Sequence, residues 1–427
     1  MMKQALIRHT AAFLLTVLLA VGFLLLGACL PQAPIDDNIR TSAARMVEEG
    51  CYPVMADHAF AATLDYTTDA LILAESKATS IADWKTILTN PLYQYDYGEG
   101  TAVDHLYQYS MDPAPQPDKF YVQYWMGFRP LIRFLLCFLD YYQILRYTAV
   151  VFFVLFAAVL CSIASRAGTR AAFAFALSII FVRPHVIAVS LQFSCCFLLA
   201  FSAMLLVPKI RQRPHWESLF YLELGILTQY FDFYTTPVLT FCLPMTYWYL
   251  LQIRENTPVT LKQIGKNAAA WSAGYGFMWL AKLVLTSLLT EANGLGQGLS
   301  SFMGRIGIEK VSGMEAYYSP MAALRSVAIS LYSDQEGKLI LVAVLALGIL
   351  CLAAFFLRKK CSLCVLWPHR NLLVLAALPV IWFMVAAQPT ANHHWFQYRS
   401  IAASFWAGMS YLLLSLQSGP DRHAPLQ

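Results

Sequence analysis

The chain of 427 residues is 58% hydrophobic and 13% charged, against about 45–50% and about 25% in soluble domains, which excludes a soluble globular protein. With 14% aromatic residues and no long polar low-complexity tract, disorder, a collagenous repeat and a small disulfide scaffold are excluded as well. The net charge of +5 averages −9 over residues 31–128 and +14 over the remainder, an asymmetry that reads as membrane topology and argues against a nucleic-acid partner.

A spanning helix needs about 20 largely apolar residues. In chain order the apolar runs predict ten such helices, at 10–30, 143–164, 169–182, 186–207, 216–229, 238–253, 268–289, 339–357, 371–387 and 401–417. Lys3 and Arg8 hold the N-terminus in the cytoplasm under the positive-inside rule, so residues 31–142 form an exoplasmic loop. The runs at 169–182 and 216–229 are short, about 21 Å for 14 residues. They are kept because Arg166 and Arg170, Lys209, Arg211 and Arg213, Lys262 and Lys266, and Arg358, Lys359 and Lys360 all require the cytoplasm. The expected fold is therefore an all-α polytopic membrane protein, one integral domain with about ten transmembrane helices. It has a second outer loop at 290–338, a cytoplasmic tail at 418–427 and both termini inside.

The first outer loop is too long to be a mere connection. Its segment 36–49 places Ile39, Ala43, Met46 and Val47 on one helical stripe, with Asp36 and Asp37 in the first turn, where the helix dipole favours anions. The segment 130–141 suits a helix lying in the membrane interface. Tyr93, Tyr95, Tyr97, Tyr107, Tyr109, Tyr121, Tyr124 and Trp125 offer faces for stacking on sugar rings, or an interfacial belt.

Cys137, Cys161, Cys195, Cys196, Cys242 and Cys351 lie in apolar runs and read as packing residues. Cys361 and Cys364 form a CxxC with no second pair, which reads as an unligated loop. Cys29 and Cys51 are the pair that could meet outside the membrane. Leu26 to Cys29 also resembles a lipobox, in which Cys29 would be a lipidated N-terminus, a minor alternative to a retained first helix. No internal repeat is visible.

Ionisable groups near apolar spans are costly, so their distribution is informative. Asp36, Asp37, Arg183, His185, Asp232, Lys282, His393, His394 and Arg399 all fall at the predicted outer side, and Tyr234 accompanies Asp232. Singly, each has an ordinary structural explanation, such as a cap, snorkelling or a packed ion pair. Together they suggest a site: Asp36 or Asp37 as a base or a ligand for a divalent metal, Lys282, Arg399, His393 and His394 for a phosphate, and Asp232, Arg183, His185 and Tyr234 lining it. Glu223, in the middle of a span, reads as a structural hydrogen-bonding residue. No P-loop is present, so the donor reaches the site through the membrane.

A first span followed closely by Asp36 and Asp37, then a long outer loop with interfacial helices, then short paired spans with charged outer turns, resembles the GT-C glycosyltransferases. These include protein mannosyltransferases and lipid A aminoarabinose transferases. The resemblance implies transfer of a sugar from a polyprenyl-phosphate donor to an exoplasmic glycan, lipid or protein acceptor. It makes Asp36 or Asp37 the catalytic base, Asp36 being preferred as nearer the membrane, and suggests a bacterial plasma membrane. Many members carry more spans or a soluble C-terminal domain, whereas this sequence ends ten residues after its last predicted helix, so acceptor binding is expected to rest on the first outer loop and on Thr290 to Lys338. The rival expectations are a transporter or lipid flippase, which predicts polar residues on broken helices at the midplane, and a non-enzymatic scaffold.

Overall fold

Alanine, leucine, valine and phenylalanine run almost unbroken from Thr10 to Ala28, and in the computed structural model they belong to α1 (Met2–Ala28). The structure describes residues 2–55, 60–79, 83–89, 98–112, 124–232, 234–306, 319–332, 338, 342, 346 and 369–417. Among these there is no β-strand, only a single bridge between Val54 and Thr63.

After α1, the described residues before the next long helix form five α-helices: α2 (Gln32–Glu49), α3 (Tyr66–Ala78), α4 (Trp84–Thr89), α5 (Ala102–Met111) and α6 (Arg129–Leu136). The stripe expected on α2 is real, since Ile39, Ala43 and Met46 are fully buried, but Val47 is exposed. The helix begins earlier than expected, at Gln32 after Pro31, so Asp36 and Asp37 sit in its second turn and not beside its amino end. The expected helix at 130–141 is two. It stops after Leu136, and Asp140 starts a new helix by accepting from the Gln143 amide in a capping box, the arrangement that satisfies otherwise orphaned N–H groups.

The remaining helices are α7 (Tyr141–Arg166), α8 (Thr169–Phe181), α9 (Pro184–Ala188), α10 (Leu191–Arg211), α11 (Glu217–Phe231), α12 (Val238–Arg254), α13 (Leu261–Leu289), α14 (Gly294–Arg305), α15 (Pro320–Tyr332), α16 (Asn371–Val385), α17 (Ala387–Asn392), α18 (His394–Gln397) and α19 (Ile401–Gln417). Among the described residues four helices are long and apolar enough to cross a membrane: Leu6–Ala28 of α1, α7, α10 and α13. The other expected spans within the described residues are helical but shorter; α8, with 13 residues, reaches about 20 Å. The span expected at 186–207 starts late. Arg183 takes a left-handed φ of 60°, Pro184 opens the short α9, and the Ser190 side chain caps α10 through the Phe193 amide. The basic cluster at Arg358–Lys360, Cys361 and Cys364 lie outside the described residues, as does the expected span at 339–357 apart from Val342 and Ala346. The described cysteines, Cys29 and Cys51 included, are free thiols.

Small residues set the closest helix approaches, as expected where apolar side chains gain nothing by leaving lipid. An added Cβ on Gly225 of α11 would lie 2.1 Å from the Trp271 carbonyl oxygen of α13, and one on Gly274 would lie 2.0 Å from the Leu222 oxygen. Gly27 likewise brings α1 onto Pro130 of α6. Polar tethers join α1 to α11: Thr16 donates to Glu223 Oε2 at 2.8 Å, His9 Nε2 lies 3.0 Å from Ser218 Oγ, and the Tyr230 hydroxyl donates to Ala20 O at 2.8 Å. Glu223 therefore has the hydrogen-bonding role its position suggests.

Candidate functional site

The most unusual chemistry lies where α3, α4 and α6 meet α1 and α13. Glu75, Arg129, Arg133 and Lys282 are each 3% exposed or less, so three basic groups and one carboxylate share a buried seam. Burial of this kind is costly unless every group is held. Arg129 lies 3.7 Å from Glu75 and donates to the Ile87 carbonyl at 2.7 Å. Lys282 Nζ donates to the Leu88 and Thr89 carbonyls at 2.7 and 2.6 Å, with the Trp125 ring centre 5.5 Å away. These are last-turn carbonyls of α4, the groups a helix leaves unpaired and toward which its dipole draws cations.

Arg133 extends the seam toward α2. Its guanidinium donates to Gly27 O at 2.9 Å, to Ser76 O, and to Gln32 Oε1 at 3.2 Å. Burial, reinforced by neighbouring Arg129, pushes its pKa down to about 10, with the Cys137 thiol and Asp36 acting the other way. It therefore stays charged at neutral pH. Gln32 Nε2 then donates to Asp36 Oδ1 at 2.6 Å, and Lys77 Nζ reaches the same oxygen at 2.8 Å. Asp36 Oδ2 has no hydrogen-bond partner among the described residues, and the side chain is 27% exposed. Asp37 is different: it is mostly exposed and pairs at 3.6 Å with Arg40 on its own helix. Adjacent helical residues point about 100° apart, and only Asp36 joins the network.

Asp36 and Lys282, distant in sequence, thus stand at the ends of three groups of polar contacts that meet on adjacent residues, Glu75 and Ser76 of α3 and Ile87, Leu88 and Thr89 of α4. Arg399 has different partners. It is fully buried, donates through Nη2 to the Ala61 carbonyl at 3.2 Å, and lies 4.2 Å over Phe193. Burial lowers its pKa to about 10, and nearby Arg183 adds to the effect. His393 stacks on Phe396, and burial, with Arg305 and His394 nearby, lowers its pKa to about 4, so its ring is neutral at pH 7. His394 Nδ1 lies 2.8 Å from Ser330 Oγ. The carboxylate of Asp232 accepts from the Thr235 amide and hydroxyl, closing a local turn. His185 is exposed on α9. Lys282 shares none of these contacts, so the two expected phosphate cations sit in separate groups.

Tyr234, Gln397 and Arg305 form a third feature. Tyr234 adopts a left-handed φ of 59°; its carbonyl accepts from Gln397 Nε2 at 2.6 Å, and its ring lies 4.0 Å beneath the Arg305 guanidinium. They stand beside a cleft of about 550 Å³ between α13, α14, α16 and α17, walled largely by Trp271, Tyr275 and Trp279 and by Trp382 opposite.

Of the aromatic residues expected to stack on sugars, Trp125 is buried, donating its indole N–H to Met278 O at 2.8 Å; Tyr109 is buried too, and Tyr107 is exposed. Tyr124 accepts from Arg305 at 3.2 Å. Tyr93, Tyr95, Tyr97 and Tyr121 lie outside the described residues. Among the described residues no three His, Cys, Asp or Glu side chains come together as a metal-ligand set. Sequence reasoning missed Glu75, Arg129 and Lys77, and took Arg133 only as part of an interfacial helix over 130–141. A usable signal was present: an arginine inside the run Leu131–Phe138 must be paired or functional.

Compared with family models, with curated proteins and with solved structures, the chain matches none.

Proposed function

We propose that the protein is a membrane glycosyltransferase of GT-C type that moves a sugar from a polyprenyl-phosphate donor to an acceptor at the outer face of a plasma membrane, with α2 to α6 outside and both termini inside. The observation that carries the reading is Asp36. One of its carboxylate oxygens is held by Gln32 and Lys77 and the other accepts no hydrogen bond among the described residues, which is how a positioned general base is built.

In this reading Asp36 Oδ2 takes the proton of an acceptor hydroxyl as that oxygen bonds to the anomeric carbon. The bond from that carbon to the phosphate oxygen breaks, and its electron pair leaves with the lipid phosphate. Arg129 and Arg133 already hold backbone carbonyls, so they act on the departing phosphate chiefly through their charge in a site of low dielectric, while Lys282 fixes the end of α4 beside them. Arg183, Arg399, His393 and Asp232 shape the neighbouring turns. Glu223, tethered to Thr16, lends no support to a transport pathway.

The test uses the full chain in lipid nanodiscs with a panel of polyprenyl-phosphate hexoses and aminopentoses, reading release of polyprenyl phosphate. Release that depends on an added hydroxyl acceptor and is lost in Asp36→Asn is the expected result. No release from any donor, or unimpaired release by Asp36→Asn, would overturn the proposal.

A further inference from the structure

The cleft between α13, α14, α16 and α17 is apolar in a particular way. Phe277, Leu280, Phe302 and Val385 line it while remaining 43–55% exposed, so its open side is hydrocarbon. Phe277 and Leu280 belong to α13, which is long and apolar enough to cross a membrane. An opening bordered by such residues faces acyl chains more favourably than water. The opposite boundary is polar: Arg305, the Tyr234 ring beneath it, and Gln397, which is 1% exposed and whose Oε1 has no hydrogen-bond partner among the described residues. A buried amide oxygen left unpaired in this way is waiting for a donor.

We infer that this cleft is a binding site for a single-chain lipid phosphate, its hydrocarbon lying along Trp271, Gly276 and Trp382 and its anionic head against Arg305. Charge sets the direction, with the head toward Arg305 and the buried Gln397 and the chain along the apolar wall. Size sets the chain number. A cleft of about 550 Å³ takes on the order of 18 groups at about 30 Å³ each, comparable to one chain, with the rest of a longer chain lying in the bilayer at the open side. A hydroxyl next to the phosphate would supply the donor that Gln397 Oε1 lacks. The wall is built to stay close: Gly294 and Gly298 pack α14 directly against Leu283 of α13. The inference rests on the cleft alone and does not require sugar transfer at Asp36.

Gly276 makes a clean test, because it lines the cleft and a Cβ added there meets nothing within 4 Å. Gly276→Phe should fill the space without disturbing the helix. The purified full chain in neutral detergent is titrated with geranylgeranyl phosphate, geranylgeraniol, dioleoyl phosphatidylglycerol and inorganic phosphate, reading tryptophan fluorescence, with native mass spectrometry for stoichiometry. Wild type should bind one geranylgeranyl phosphate saturably. Gly276→Phe should weaken the phosphate and the alcohol alike by tenfold or more, whereas Arg305→Met should weaken the phosphate about tenfold and leave the alcohol unchanged. Asp36→Asn should bind normally. Equal binding by wild type and Gly276→Phe, or equally tight binding of the two-chain phospholipid or of phosphate alone, would overturn the assignment. If cleft binding is as expected but no donor yields transfer, the catalytic proposal fails alone.

Discussion

The ammonium of Lys77 lies 2.8 Å from Asp36 Oδ1 and joins α3 to α2 across 41 positions of sequence. Because the contact fixes the carboxylate without covering its other oxygen, the two partners should respond differently to substitution. Asp36→Asn keeps one oxygen acceptor for Gln32 and Lys77 but loses the charge facing the ammonium, so thermal stability should fall by less than in Lys77→Met while turnover falls about 100-fold or more. Lys77→Met removes a charged hydrogen bond, which should cost about 1.5–3 kcal/mol of stability and lower turnover more modestly, as measured by unfolding and transfer assays on the same preparations.

Lys282 offers a second contrast. Its Nζ is the partner of two carbonyls at the end of α4, so Lys282→Met should leave both unpaired at a cost of about 1–3 kcal/mol for each. The measurement is thermal unfolding with and without donor lipid. Unchanged stability would show that water or another donor replaces the ammonium.

Asp69 governs a pH dependence. Burial pushes its pKa up to about 7, against the pull of the Tyr141 hydroxyl, which donates to Oδ2 at 2.5 Å. In the unfolded chain the group titrates near 3.9, so between about pH 4 and pH 7 the folded state holds a proton that the unfolded state has released. The contribution to stability is therefore fully present below about pH 4, is lost as pH rises to about 7, and is level above that. Denaturant unfolding from pH 5 to pH 8 should show wild type losing stability relative to Asp69→Asn.

The crossing of α11 and α13 depends on absent side chains. Gly225→Ala or Gly274→Ala would press a methyl group to within about 2 Å of a backbone oxygen, forcing the helices apart. Overpacking of this kind costs about 1–3 kcal/mol. Gly22, whose added Cβ meets nothing, serves as the control, and its alanine variant should unfold no earlier than wild type.

Topology is checked by a cysteine at Lys262, exposed at the start of α13. Gln263 is less suitable, since it completes the capping box with Thr260. An impermeant thiol reagent should label Lys262→Cys in inverted vesicles but not from outside whole cells.

Composition and charge sign already placed this chain among helical membrane proteins, because the cost of exposing apolar residues to water and of burying charge depends on residue type more than on neighbours. The same holds for the stripe of Ile39, Ala43 and Met46 and for the separate directions of Asp36 and Asp37, which follow from the helical period. Helix ends were less legible: Ser190 and Asp140 act as caps only where the preceding backbone has turned, as at Arg183. The seam was not legible at all. Gln32, Glu75, Lys77, Arg129, Arg133 and Lys282 are scattered along the chain, and nothing in local sequence says which carbonyl an arginine will meet. Tertiary structure alone decided that Lys282 would meet the end of α4 while Arg399 met Ala61, because hydrogen-bond partners are set by which helices can approach one another. Here that approach is permitted by single glycines such as Gly27, Gly225 and Gly274.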